Sequence, residues 1–154
     1  HADDYKTRGA AYRAEMLELK SWAAARVLEI PEGRRVMVTS HDAFEYFGKA
    51  FGFKVKGLQG LSSADEAGLA SANQLIAFIK EHQIKMIFPE SSVNDKGIKA
   101  VAENAGVAVS DLHLFSDACG EPGDVVTVNG ESYDKGTYIG MIKHNVNTVV
   151  NGLK

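Results

Sequence analysis

The stretch Arg34–Phe47, RRVMVTSHDAFEYF, decides how the rest of the chain is read. Val36, Met37 and Val38 form a short apolar, β-prone run between Gly33 and the polar Ser40-His41-Asp42. Phe44, Phe47 and the following Ala50-Phe51 then recur at near-helical spacing. The segment is therefore a buried strand that turns into a helix, with His41 at the joint. In an open α/β sheet such a joint lies where ligands bind, beyond the carboxyl end of the strand.

On the amino-terminal side, Asp4 to Leu28 is rich in Ala, Leu, Glu, Lys and Arg, and Tyr12, Met16, Leu19, Ala23 and Val27 step along one face. This predicts a long helix, stopped by Pro31 and Gly33. It opens the sequence without a preceding cap, which suggests a longer parent protein. On the other side, Phe53–Leu58 alternates as a second strand. Ser63-Ala64-Asp65-Glu66 has capping-box form, and the helix it starts should bury Leu69, Ala72, Leu75, Ile76 and Ile79. Ile84–Phe88 is a continuously apolar third strand. Ser92–Asp95 can cap the next helix, which Gly106 ends, and Val107–Phe115 is the fourth strand. A polar loop, Gly120–Ser132, has room for one hairpin. The last helix runs from Lys135 to Val150 and should bury Tyr138, Ile142, Val146 and Val149. Strands alternating with helices call for an α/β fold with a four-stranded parallel sheet flanked by helices, preceded by the long first helix.

The 154 residues suit one domain with a real core, and 45% hydrophobic with 24% charged residues is ordinary globular composition. A net charge of −3, without any basic cluster interleaved with aromatics, argues against nucleic acid as a partner. There is no apolar run of membrane-spanning length. Cys119 is the only cysteine, so an intrachain disulfide is excluded.

Three polar residues follow strand ends: His41 the first, Glu90 the third and Asp117 the fourth. In a parallel sheet these ends share one edge, and an imidazole with carboxylates suits a divalent ion such as zinc or manganese. A full zinc shell takes about four ligands, so the set is incomplete.

VTSHDAFEYFGKAFGF, VKGLQGLSSADEA, IFPESSVNDKGIKAV, LFSDACG and GTYIGMIKHNVNTVVNGL together resemble the C-terminal lobe of the zinc/manganese-binding receptors of bacterial ABC importers. The resemblance spans essentially the whole chain. It implies that residues 1–30 form the helix joining two lobes and residues 34–154 the C-terminal metal-binding lobe, with the N-terminal lobe absent. It implies further that His41 and Asp117 are the ligands supplied by this lobe. Two histidines of the absent lobe would complete the site. Glu90 would line the cleft and orient His41 through its other ring nitrogen. The expected partners are a divalent metal ion, Zn2+ or Mn2+, the membrane permease of an ABC importer and the N-terminal lobe. The expected location is periplasmic, or extracytoplasmic at a membrane. The uncovered interface is expected to let the fragment dimerise.

The remaining candidates read as structural. Asp42 suits a helix N-cap boxed with Glu45. His82 suits a helix C-terminus as a cation. His144 lies opposite Ile142 and Val146, which predicts exposure, and His113 could take either face of its strand. Cys119 reads as a thiol packed in a loop. The alternative is a small flavodoxin-like metal-dependent hydrolase with a metal on His41, Glu90 and Asp117, in which Glu90 would be the acid–base group. No P-loop, GxGxxG or nucleophile elbow supports it, and no enzyme activity is expected.

Overall fold

The computed structural model describes residues 1–59 and 65–154, with the backbone alone of residues 59 and 65–67. In chain order it runs α1 (Ala2–Val27), a 3-10 turn (Glu32–Arg34), β1 (Val36–His41), α2 (Glu45–Phe51), β2 (Lys54–Gln59), α3 (Asp65–Glu81), β3 (Met86–Ile87), α4 (Lys96–Ala105), β4 (Ala108–Val109), β5 (Val125–Val128), β6 (Glu131–Asp134) and α5 (Tyr138–Leu153). The capping box expected at residues 63–66 lies outside the residues described in full.

The fold is mixed α/β. β1 pairs with β2 and β3 with β4, both in parallel, while β5 and β6 form an antiparallel hairpin. Single parallel bridges, Thr39 to Phe88 and Glu90 to Leu114, link the strand segments further. The third and fourth strands have shorter ladders than the apolar runs predict. Pro89 has no N–H to donate, and Ser110 turns the chain by bonding the backbone N–H and C=O of Leu112. Beyond that turn the pairing resumes, with Leu114 N–H donating to Pro89 O at 2.9 Å and Ser91 N–H to Leu114 O at 2.9 Å.

Alternation along the strands divides the interior. Met37 and Phe88 join Phe44, Phe53 and Leu114 against Ala23 and Val27 of α1 and Val146, Val149 and Val150 of α5. Val38 and Ile87 face the other way, onto Leu75 and Ile79 of α3 and Ile98 and Val101 of α4. Each such fully buried large side chain stabilises the fold by about 1.5–3 kcal/mol.

The first helix buries only Leu19, Ala23 and Val27, so its apolar stripe is half used, and Tyr12 is exposed. Leu69 of α3 and Tyr138 of α5 are also exposed, where periodicity predicts burial. Both lie near the amino-terminal ends of their helices. α2 starts at Glu45, after Phe44, with no side-chain cap, so Asp42 is not the N-cap expected. Burial of Phe44 holds residues 42–44 in a turn and delays the helix. α4 likewise lacks a side-chain cap bond from its N-cap Asp95, although Asn94 Oδ1 accepts from Lys96 N–H at 2.9 Å. Gly106 ends it in the left-handed conformation, as its position predicts. The hairpin turns on Asn129 and Gly130, both at positive φ.

Candidate metal centre

β1 delivers His41 to the strand edge, and the chain turns away at once over β2. Gly57 permits that turn: a Cβ there would lie 2.6 Å from the Asp42 nitrogen and 2.6 Å from the His41 carbonyl carbon. Glu90 arrives from beyond β3 and is completely buried. Its Oε1 accepts from the His41 backbone N–H at 2.8 Å, and its Oε2 lies 2.6 Å from His41 Nδ1. Nδ1 and Oε2 are both shut off from solvent and neither meets hydrogen-bond geometry with any partner among the described residues, so what joins them is the 2.6 Å imidazole–carboxylate contact. A carboxylate so placed fixes the proton on Nδ1 and leaves the Nε2 lone pair outward.

Asp117 faces that lone pair. Its Oδ1 is 3.8 Å from His41 Nε2, and its side chain is 62% exposed against 24% for His41. Two donors on a tetrahedral zinc, each at about 2.0–2.1 Å, lie roughly 3.4 Å apart. A small rotation of the exposed carboxylate therefore brings the pair to ligating distance. All three sequence candidates meet at one edge, but Glu90 is spent on the back of the imidazole. Among the described residues no three His, Cys, Asp or Glu side chains form a cluster able to hold a metal ion. The donor chemistry present is one borderline nitrogen and one hard oxygen, which suits zinc or manganese.

The segment bearing Asp117 is tied down by α5 in a way that helical spacing does not reveal. His144 is buried, and its Nε2–H donates to His113 O at 2.9 Å. This corrects the expected exposure. Residues 144–150 are all buried, because α5 lies between α1, the hairpin and the segment bearing Asp117, and so has no solvent face there. The polar residues His144, Asn145 and Asn147 clustered about Val146 on more than one face of the helix are the signal that could have shown it. His113 is exposed, 3.8 Å from Asp95. Cys119 is exposed rather than packed. His82 Nε2 lies 2.8 Å from Lys54 Nζ while its Nδ1 meets Phe78 O at 3.0 Å. Lys54 thus brings its ammonium to that helix end beside the ring.

Burial holds the His144 imidazole below the ordinary range; Lys135 acts in the same direction, while the His113 carbonyl and Asp124 oppose it. A folded pKa below the unfolded value means that the unfolded chain binds the extra proton first. The stability due to neutral His144 is thus complete above about pH 6.5 and is lost as pH falls through the lowered value. The urea midpoint of the chain is expected to drop between pH 7.5 and 5.5, and the drop to shrink in His144→Gln. An equal drop in both proteins would exclude His144 as its source.

Residues 1–152 match the family described as zinc-uptake complex component A, periplasmic. The manganese-binding lipoprotein MntA of Bacillus subtilis is 44% identical over 100% of this chain and 49% of its own length. The zinc-binding protein TroA of Treponema pallidum is 38% identical over 97% of this chain and 47% of its own. The solved structure of the periplasmic zinc-binding protein TroA superposes with a TM-score of 0.85 at 37% identity, covering 98% of this chain and 53% of that one. The chain spans about half the length of the curated relatives it matches.

Proposed function

Because the chain belongs to the family of periplasmic zinc-uptake component A proteins, we propose that it is the C-terminal, metal-binding lobe of an extracytoplasmic receptor that captures Zn2+ or Mn2+ and passes it to an importer in the membrane. The observation that carries this reading is the pair His41 Nε2 and Asp117 Oδ1, 3.8 Å apart at one strand edge, with the imidazole oriented from behind by buried Glu90. His41 and Asp117 are the ligands, and a second lobe supplies the rest of the shell. Residues 1–30 join the two lobes; no residue of α1 before Leu19 is buried, which leaves that part of the helix free to carry another body. The bridges from Thr39 to Phe88 and from Glu90 to Leu114 support β2, β1, β3 and β4 as one four-stranded parallel sheet. Among the described residues no helix is long and apolar enough to cross a membrane; in this reading delivery is by docking on a separate permease.

The half-shell has a thermodynamic consequence. Two protein ligands of about four should bind zinc or manganese with a Kd on the order of micromolar or weaker. Closure by the second lobe raises affinity, and its withdrawal releases the ion. A hydrolytic reading is disfavoured by Glu90, since the one acid–base candidate is fully buried against His41 with no path to a substrate water. The open ligand edge also offers a face to a second copy of the chain.

Calorimetric titration with Zn2+ and Mn2+ tests the assignment. Weak binding to the chain, lost in both His41→Ala and Asp117→Ala, is the expected result. Nanomolar binding, or binding indifferent to either substitution, would place the site elsewhere.

A further inference from the structure

The carboxylate Asp117 lies on a segment that runs along the edge of the parallel strands, with no strand beyond it among the described residues. Leu114 uses both of its backbone groups on the inner side, toward Pro89 O and Ser91 N. In an extended chain the groups of residues 113 and 115 point the opposite way, where a further strand would ordinarily pair with them. Here that edge is filled by side chains of α5. Asn145 Oδ1 accepts from Phe115 N–H at 2.9 Å while its Nδ2 donates to Phe115 O at 2.7 Å. One turn-face away His144 donates to His113 O at 2.9 Å. A single amide thus does the work of a neighbouring strand, two residues before Asp117. Asn145 is itself buried, 3% exposed, so water does not replace it freely when it is removed.

We propose that Asn145 is a positioning residue for the metal site: by clasping both backbone groups of Phe115 it fixes the segment that presents Asp117 to His41. The inference rests on the ligand assignment above. It also separates Asn145 from the other buried amide of the same helix. Asn147 faces α1 and the hairpin, accepting from Arg26 Nε at 3.1 Å and donating to Tyr133 Oη at 3.2 Å, and neither of these partners adjoins Asp117. Both amides stabilise the fold, but only Asn145 is joined to the ligand-bearing segment.

The test compares Asn145→Ala with Asn147→Ala in the 154-residue chain, by Zn2+ titration and by site-resolved amide exchange without metal. Asn145→Ala is expected to raise the Zn2+ Kd by about tenfold, the lower end of what loss of an orienting partner costs a metal site. It should also strip exchange protection from the Phe115 amide selectively. Asn147→Ala should lower the melting temperature while leaving the Kd within about twofold, the change expected of a residue that does not orient a ligand. Asn145→Ser, which keeps a small polar side chain but cannot reach both groups, is read in the same way if the alanine variant does not fold. Wild-type affinity in a folded Asn145 variant, or equal weakening by Asn147→Ala, overturns the proposal. His41→Ala and Asp117→Ala run beside them: if these retain binding the ligand assignment falls and the proposal with it. If they lose binding while the Asn145 variants keep it, only the proposal falls.

Discussion

Replacing Glu90 by alanine is expected to weaken zinc binding by about 10–100-fold and to cost about 1–3 kcal/mol of stability. Two losses combine. The His41 backbone N–H gives up its acceptor at 2.8 Å, and Nδ1 gives up the carboxylate at 2.6 Å that orients the ring. Glu90→Gln separates them. Its amide oxygen can still accept from the His41 N–H, but its NH2 then meets Nδ1, which must turn acceptor. The ring proton moves to Nε2, the nitrogen that the proposed site assigns to the metal. Near-normal stability with most of the affinity gone is therefore the expected outcome for the glutamine variant, checked by urea unfolding beside calorimetry. Wild-type affinity in Glu90→Gln would show that Glu90 does not set the tautomer.

Among the described glycines Gly140→Ala should be the most destabilising added methyl, costing about 3 kcal/mol by overpacking. A Cβ at Gly140 would fall 1.8 Å from Asp134 O, a backbone atom with little room to withdraw. The same carbonyl accepts from Thr137 N–H at 3.1 Å and Thr137 Oγ1 at 2.8 Å, and Thr137 Oγ1 accepts from Gly140 N–H at 3.0 Å to cap α5. The Asp134 carboxylate is bonded in turn to the backbone of Gly123 and Gly136. Helix start and hairpin end are therefore one bonded unit that cannot part locally. For a chain of this size such a cost lowers the melting temperature by roughly 10 °C, measurable by calorimetric unfolding. An unchanged melting temperature would mean that α5 is free to slide on the hairpin.

The two effects differ in kind. Glu90 acts through the electrostatics of one buried contact, and its loss is read at the metal. Gly140 acts through excluded volume at a junction far along the chain from His41, and its loss is read in unfolding. Affinity and stability measured on both variants thus distinguish the site from the frame that holds it.

Much of this was legible in the sequence because it is local. Apolar runs of β-branched residues, the helical recurrence of Leu75, Ile79, Ile98 and Val101, and Gly106 as a stop specify the alternation of strand and helix without reference to distant residues. From that order alone follows the meeting of His41, Glu90 and Asp117 at one edge, since parallel strands share their carboxyl ends. Tertiary structure decided what each polar group does there. Glu90 lies completely buried behind the imidazole rather than pointing outward, a three-dimensional relation between residues 49 positions apart that strand order does not fix. His144 and Asn145 enter the core because α5 is covered on every side along residues 144–150, so one-face periodicity no longer sorts inside from outside. Leu69, Tyr138 and the exposed half of α1 failed for the converse reason: an apolar residue is buried only where another element reaches it. Sequence determines which groups can bury or bind; the neighbours that packing brings to each of them determine which ones do.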